Sequence, residues 1–157
     1  MVDRMNYYIV DASAEKIFEG NPAAVCVLEQ WLSDDVMQNI AIENNLSETA
    51  FTVKEGDYYR LRWFTPGGEI DLCGHATLAT AFVLMNYIDN RLTEVTFHTL
   101  CGPLTVKKQA DLYQMDFPTI AIKPYELRDD MIEAIGITPL EVYKGRDLIF
   151  ALDSEET

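Results

Sequence analysis

The amino-acid sequence predicts an α+β fold in which a mostly antiparallel, barrel-like sheet wraps around one central helix. The helix is predicted at Gly74–Tyr87, a segment of helical length that is apolar nearly all round. A helix without a polar face has to be surrounded by other structure. Segments rich in β-branched and aromatic residues precede and follow it, and they predict the strands of the surrounding sheet. With 157 residues, 48% of them hydrophobic, the chain can bury one real core.

Two strands are predicted near the start of the chain. Tyr7–Ala12 is rich in aromatic and β-branched residues. A turn signal at Gly20-Asn21-Pro22 separates it from Ala23–Leu28, which is apolar without alternation. That pattern is typical of a strand that is buried on both faces of a sheet.

A helix and two more strands are predicted before the central helix. Ser33 is followed by Asp34 and Asp35, which indicates an N-cap with acidic residues in the first helical turn. Apolar residues then recur at helical spacing until Asn44-Asn45. The next two predicted strands are Glu48–Val53 and Tyr59–Phe64, and Thr65–Gly68 ends the second of them.

The region after the central helix predicts one complete lobe and the opening of another. Three strands are expected first: Val95–Leu100, Leu104–Lys107 and Tyr113–Phe117. A helix at Arg128–Ile135 and strands at Glu141–Lys144 and Leu148–Leu152 follow. The segment Gly20–Glu29 has a glycine, then a buried apolar run, then a leucine followed by an acidic residue. The same order recurs weakly at Gly145–Asp153. We therefore expect a first lobe over residues 1–118 and the beginning of a second, truncated lobe over residues 119–157.

Composition and charge exclude several function classes. The chain carries 26 acidic and 12 basic residues, a net charge of −14 that repels nucleic-acid backbones and anionic membrane surfaces. Its longest apolar run, Ala76–Met85, is too short to span a bilayer, and Met1–Asn6 lacks the apolar core of a signal peptide. Three cysteines without framework spacing indicate reduced thiols. We expect a cytoplasmic protein that binds neither nucleic acid nor membranes.

Gly74 and His75 form the first candidate site, because they stand at the start of the central helix. Backbone N–H groups and the helix dipole bind anions at such a start, and glycine allows a ligand to approach closely. A carboxylate or enolate oxygen would be stabilised there, with His75 directed at it. The alternative is structural, with Gly74 as a turn residue and His75 as a capping or core histidine.

Glu48 is the second candidate, since it lies between a helix end and an apolar strand. By itself, a glutamate is most simply a solvated surface side chain. A carboxyl group against an apolar wall gains proton affinity, however, and can then give and take a proton near neutral pH.

Cys73 next to His75 allows two further hypotheses. One is a thiol acid/base for racemisation, and the other is a zinc site completed by Cys26, Cys101 or His98. Zinc sites usually show paired ligands at short spacing, and the Cys73-x-His75 spacing does not recur, so no metal is predicted. Glycine-rich phosphate or dinucleotide motifs are also absent from the sequence.

Four motifs in order carry a resemblance to a known family. The chain resembles the PhzF-like isomerases, the phenazine biosynthesis family, which are relatives of diaminopimelate epimerase. The resemblance extends over about residues 6–152. The matching motifs are Phe18–Cys26, Asn45–Phe51, Arg62–Pro66 and Leu72–Ala79.

The resemblance implies a fold, an activity and a site. The family has two similar lobes, each a barrel-like sheet around a central helix, with the active site between them. By resemblance, Glu48 shuttles a proton between carbon atoms and His75 assists, while Ser47, Cys73 and Gly74 line the substrate site. The implied biosynthetic reaction uses neither metal nor organic cofactor and acts on a small carboxylate or amino-acid-like molecule.

Three departures from the family pattern keep alternatives open. Ser13 stands where the family usually has an aromatic residue. Cys73 stands where the epimerase relatives carry a catalytic thiol, so a thiol-using epimerase or racemase remains an alternative. The family's second lobe supplies an aspartate and a Gly-Ser segment, and residues 119–157 match neither. An inactive lobe that only binds or assembles is therefore a third hypothesis, and a lone lobe with an exposed partner surface would self-associate, for example as a homodimer.

Overall fold

The computed structural model describes residues 5–16 and 18–154. The chain divides into two compact units, Met1–Asp116 and Phe117–Thr157. The expected start of a second, similar lobe at residue 119 stays a prediction. No helix in the described part of the chain is long and apolar enough to cross a membrane.

The first unit is built on one sheet to which eight strands of the described residues contribute. The order is β1-β2-β3-β4-β6-β7-β8, with β5 paired to β4. Neighbours are antiparallel except β2 with β3 and β4 with β6, which run parallel. The strands are β1 (Asn6–Ala12), β2 (Asn21–Leu28), β3 (Glu48–Glu55), β4 (Tyr58–Thr65), β5 (Gly68–Ile70), β6 (Glu94–Thr99), β7 (Gly102–Gln109) and β8 (Leu112–Asp116). This mixed but mostly antiparallel sheet confirms the predicted α+β class.

Helix α2 (Gly74–Val83) occupies the position predicted for the central helix. Ala76, Ala79, Ala81 and Val83 are fully buried, and they share one core with side chains from most strands of the sheet. An apolar helix is stable here because the sheet removes most of its surface from water.

The predicted central helix does extend through Tyr87, but its final turn is π-helical rather than α-helical. The segment Leu84–Ile88 is a π-helical turn, which ends where the Asp89 amide donates to the Leu84 carbonyl at 2.8 Å. The Asn86 side-chain amide donates to the Phe82 carbonyl at 2.7 Å, the group that an α-helix would pair with the Asn86 backbone amide. This competition widens the turn and leaves Tyr87 61% exposed.

Helix α1 (Asp34–Asn44) belongs to a separate apolar cluster. Its buried residues Met37 and Ala41 pack with Cys26 and Phe51. The strand neighbour Val25 packs instead in the core around α2, because successive strand side chains point to opposite faces of a sheet. Strand β2 is therefore buried on both faces, as its unbroken apolar run predicted.

Strand β5 was not expected, because the Thr65–Gly68 segment was interpreted only as a break. Strand β4 does end at Thr65, but the turn returns the chain at once to pair with β4. The returning strand is fixed by Arg62, whose guanidinium donates two hydrogen bonds of 2.7 Å to the Glu69 carboxylate.

The second unit is small and has its own three-stranded sheet. Its strand order is β11-β10-β9, with antiparallel neighbours. Met131 on its helix and Val142 on its middle strand are buried. Gly136 ends the helix in the left-handed conformation, at φ 76°. The elements are β9 (Lys123–Pro124), α3 (Asp129–Ile135), β10 (Glu141–Lys144) and β11 (Leu148–Ala151).

Candidate active site

Glu48 is held at the first position of β3 by the way in which α1 ends. Asn45 closes that helix in the left-handed conformation, with φ 49°, and three residues later the chain enters the strand. The Asn44 side-chain amide donates to Thr49 Oγ1 at 3.0 Å, while Asn44 Oδ1 accepts from the Tyr7 hydroxyl at 3.1 Å. These contacts tie the helix end to β1 and β3 and so fix where the Glu48 side chain starts.

His75 is held at the start of α2. Cys73 is the N-cap residue, with an extended backbone at φ −144°. Its carbonyl accepts hydrogen bonds from the Thr77 hydroxyl at 2.5 Å and from the Thr77 amide at 3.3 Å, and these two bonds close the first turn. Because the body of the helix is buried in the core, the position of this turn is set by the sheet around it.

The structure brings the two predicted acid/base residues together. His75 Nε2 lies 3.1 Å from Glu48 Oε2, and their side chains are only 17% and 16% exposed. The distance is that of an ion pair or hydrogen bond, yet the two atoms are not aligned as a hydrogen bond. Both are buried and lack a hydrogen-bond partner among the described residues. Two poorly satisfied polar atoms at this point favour a site that receives another group.

Cys73 is the third member of this cluster. Its Sγ lies 3.4 Å from His75 Nδ1, and the residue is 6% exposed. Burial raises the pKa of the Cys73 thiol to about 11, and the Glu48 carboxylate also raises it, against a lowering by the amides of Ala76 and His75. The protonated thiol can therefore donate to Nδ1 at neutral pH wherever that ring nitrogen carries no hydrogen.

The two other predicted substrate-site residues flank the cluster. Ser47 is exposed beside Glu48, and its hydroxyl donates to Asn21 Oδ1 at 3.0 Å. Gly74 is half-buried and is the first residue of α2. Asn21 was missed as a neighbour of the site, because its motif was interpreted only as a turn. The parallel pairing of β2 with β3 is what brings it next to Ser47.

The ligands suggested for a zinc site beside Cys73 do not gather there. Cys26 is fully buried in the cluster that contains α1. Cys101 lies by the β6–β7 turn, within 3.1 Å of the Thr99 hydroxyl. His98 stacks on Tyr58, with ring centroids 4.0 Å apart. These positions fit the predicted core role of Cys26 and the predicted surface position of His98.

The arrangement provides groups that are suited to anion binding and to proton transfer. The first turn of α2 contains no acidic residue, so the positive end of the helix is not neutralised by its own sequence. A carboxylate, an imidazole and a thiol converge at that end. Such a site can hold an anionic group at the helix start and exchange a proton with an adjacent carbon.

Comparisons with known proteins match this chain to one family. Residues 10–151 match the family described as phenazine biosynthesis-like protein, PhzC-PhzF. An uncharacterized isomerase of Pseudomonas aeruginosa is 49% identical, over 98% of this chain and 59% of the relative. An uncharacterized isomerase of Halalkalibacterium halodurans is 46% identical, over 95% of this chain and 57% of the relative. The chain thus spans less than two thirds of the length of these relatives.

Solved structures show the same fold. A PhzF family protein of Enterococcus faecalis superposes with a TM-score of 0.89 at 58% identity, over 97% of this chain and 58% of that chain. A predicted epimerase of Pseudomonas aeruginosa superposes with a TM-score of 0.70 at 23% identity, over 90% of this chain and 56% of that chain. The likeness confirms the predicted diaminopimelate-epimerase-like fold.

Proposed function

The chain belongs to the PhzC-PhzF family of phenazine biosynthesis-like proteins, and on that premise we propose that it carries the acid/base half of a cofactor-independent isomerase. The reaction moves a proton between carbon atoms of a small carboxylate or amino-acid-like substrate in a biosynthetic process. Support at the coarser level comes from two relatives that are named isomerases. The finer assignment depends on the geometry of Glu48 and His75.

The 3.1 Å separation of Glu48 Oε2 and His75 Nε2 is the observation that carries the proposal. In the proposed reaction the Glu48 carboxylate removes a proton from a carbon next to a carbon–carbon double bond of the substrate, and that double bond shifts by one position towards the deprotonated carbon. The resulting glutamic acid returns the proton to another carbon of the same molecule. His75 donates a hydrogen bond from Nε2 to the carboxylate, or to the oxygen on which charge develops.

Substrate binding is assigned to the start of α2 and to its flanks. The substrate carboxylate accepts hydrogen bonds from backbone N–H groups at Gly74 and His75, where the helix dipole favours negative charge. Ser47, held by Asn21 at 3.0 Å, contributes a hydroxyl beside the base. This local donor set is what lets a chain of net charge −14 bind an anion.

A thiol-using epimerase or racemase is the second candidate, because Cys73 Sγ lies 3.4 Å from His75 Nδ1. In that reaction Cys73 would exchange protons with one face of the substrate carbon. A thiol with a pKa of about 11 has to lose its proton to His75 before it can act as a base. Cys73→Ala separates the two candidates, since the epimerase requires the thiol and the isomerase does not.

A lobe that only binds or assembles is the third candidate, because the chain spans 59% of the length of a close relative. Self-association, for example as a homodimer, is expected of such a lobe. Sedimentation velocity tests this expectation, and a monomer at all concentrations would count against it.

Solvent deuterium incorporation tests the proposed isomerase. A panel of small carboxylates and amino acids is incubated with the protein in D₂O, and exchange at carbon is followed by NMR. The expected result is exchange into one substrate class by the wild type and none by Glu48→Gln. Equal exchange by both proteins would contradict the proposal. The panel should be repeated with a version that includes the full length of the relatives, since this chain covers only part of it.

A further inference from the structure

The cluster at the start of α2 has the composition of a metal site. Glu48, Cys73 and His75 each offer one ligand atom, and these atoms all lie within 4.8 Å of one another. It is the one such group of three found in the described part of the chain. A carboxylate, a thiolate and an imidazole are the three ligand types that zinc takes in proteins.

The sequence argument against zinc depended on spacing along the chain. Cys73 and His75 are two residues apart, and the next closely spaced pair, His98 and Cys101, makes its contacts elsewhere, with Tyr58 and Thr99. The third ligand instead comes from the first residue of β3, which the sheet brings beside the start of α2. Ligands contributed by different elements leave no short motif, so spacing alone could not find this set.

Two observations besides composition point to an ion. Glu48 Oε2 and His75 Nε2 are buried without a hydrogen-bond partner in the described structure, although they lie 3.1 Å apart. Leaving such atoms unsatisfied costs free energy, which a cation bound to their lone pairs would offset. The thiol Cys73 is itself 94% removed from solvent, at 6% exposure, and its sulfur faces the same imidazole.

A tetrahedral ion needs the imidazole to turn, because its two nitrogens face different neighbours. Zinc bonds of about 2.0–2.3 Å at tetrahedral angles place ligand atoms roughly 3.3–3.6 Å apart. The observed separations are 3.1 Å from Glu48 Oε2 to His75 Nε2 and 3.4 Å from Cys73 Sγ to His75 Nδ1. A rotation of the imidazole that presents one nitrogen to both neighbours would complete the set.

We propose that Glu48, Cys73 and His75 bind Zn²⁺ reversibly, and that the bound ion blocks the site. Binding forms bonds from the ion to one carboxylate oxygen, one ring nitrogen and the sulfur, and the Cys73 thiol releases its proton to solvent. Three protein ligands leave a fourth position for water. The proposed isomerisation needs no metal, and an ion that occupies Glu48 and His75 removes the base and its partner from the reaction. The block rests on the proposed function, whereas binding can be measured without any substrate and so stands or falls separately from it.

Cobalt provides the spectroscopic test. Co²⁺ is titrated into the reduced chain under anaerobic conditions, and the near-ultraviolet thiolate-to-cobalt charge-transfer absorption is recorded before displacement with Zn²⁺. The chain has three cysteines and two histidines, which supply matched controls of the same residue types. Cys101→Ser is the control for Cys73→Ser, and His98→Gln is the control for His75→Gln.

The wild type and both control variants should each bind one equivalent of Co²⁺ and show the charge-transfer absorption. Addition of Zn²⁺ should remove that absorption. Removing a residue that only hydrogen-bonds to a metal ligand weakens metal binding about 10–100-fold. Loss of a ligand itself should therefore weaken Zn²⁺ binding by at least about tenfold. Cys73→Ser should also abolish the charge-transfer absorption.

Two outcomes would overturn the proposal. One is a wild type without the absorption at saturating Co²⁺, and the other is an absorption that survives Cys73→Ser but disappears in Cys101→Ser. Circular dichroism checks that each variant folds. If Cys73→Ser does not fold, Glu48→Gln replaces it, and unchanged Zn²⁺ affinity in that variant counts against the site.

Discussion

The two helices of the first unit begin in opposite ways. Helix α1 carries Asp34 and Asp35 in its first turn, and Asp34 accepts a hydrogen bond of 2.8 Å from Arg62. That hydrogen bond and the guanidinium charge lower the pKa of the Asp34 carboxyl. The positive end of α1 is therefore neutralised by its own sequence, and its acidic residues are already paired or exposed.

Helix α2 begins without an acidic residue in its first turn. Its neighbouring carboxylate, Glu48, comes from a strand, and it faces His75 at 3.1 Å without an aligned hydrogen bond. The start of a helix can therefore be structural or functional, according to where the negative charge beside it comes from. A start that is not neutralised by its own first turn can bind an external anion.

Glu48→Gln should cause the largest loss of the activity proposed for the start of α2. Losing the proposed general base should reduce the deuterium-exchange rate by about 10²–10⁴-fold, while the neutral amide keeps the side-chain shape. Exchange at the substrate carbon is measured by NMR under saturating and subsaturating substrate. The control is Glu43→Gln, an exposed glutamate near the end of α1, which should change the rate less than about twofold. A comparable loss in both variants would refute the assignment.

Ala79→Lys tests the different surroundings of the two helices. Ala79 on α2 is fully buried, and a charged side chain there would lie in an apolar core. The free energy of unfolding should fall by about 4 kcal/mol or more. Ile42→Lys on α1, where the side chain is 51% exposed, should change it by less than about 0.5 kcal/mol. Urea unfolding followed by circular dichroism measures both, and equal losses would contradict the packing described.

Alkylation of Cys73 tests whether the start of α2 creates a reactive thiolate. Helix starts usually lower a cysteine's pKa, but burial raises that of Cys73 to about 11. At neutral pH the thiolate fraction of Cys73 should be on the order of 10²-fold lower than that of an unperturbed thiol. With a chelator present, the iodoacetamide rate at Cys73 should climb with pH until about 11, as followed by peptide mapping. A plateau near the pKa of an ordinary thiol would show that burial does not govern this group.

Gly74→Asp makes the start of α2 resemble that of α1. A carboxylate in the first turn competes with the substrate's own carboxylate for the backbone N–H groups. Charges at helix ends are worth about 0.3–2 kcal/mol, so KM should rise roughly 2- to 30-fold, with a smaller change in kcat. Asp34→Asn on α1 is the control, and its KM should stay unchanged. A KM that is unaffected by Gly74→Asp would mean that the substrate's anionic group binds elsewhere.

The sequence predicted most of the fold because its signals are local. The apolar run after Gly74, the acidic residues after Ser33 and the unbroken run Ala23–Leu28 each determine the environment of one element. The π-helical turn at Leu84–Ile88 was missed, since it depends on a side-chain contact made by Asn86. Strand β5 was not predicted, because it has only three residues and begins within the turn signal that follows β4.

The site was predicted less completely than the fold. The helix start at His75 follows from residues next to one another, whereas its distance to Glu48 depends on strand register and on the parallel pairing of β2 with β3. The family resemblance suggested the pair, and the structure supplies the distance. The contact of Ser47 with Asn21 and the thiol's approach to His75 Nδ1 were not visible in the sequence, since both depend on three-dimensional packing.

A double-mutant cycle on Glu48 and His75 tests the central claim most directly. Deuterium exchange is measured for the wild type, Glu48→Gln, His75→Gln and the double variant. Residues that act as one unit lose function non-additively, so the double variant should be no slower than the more damaging single variant, within about threefold. If the two single losses instead multiply in the double variant, Glu48 and His75 act independently, and the acid/base pair described here is wrong.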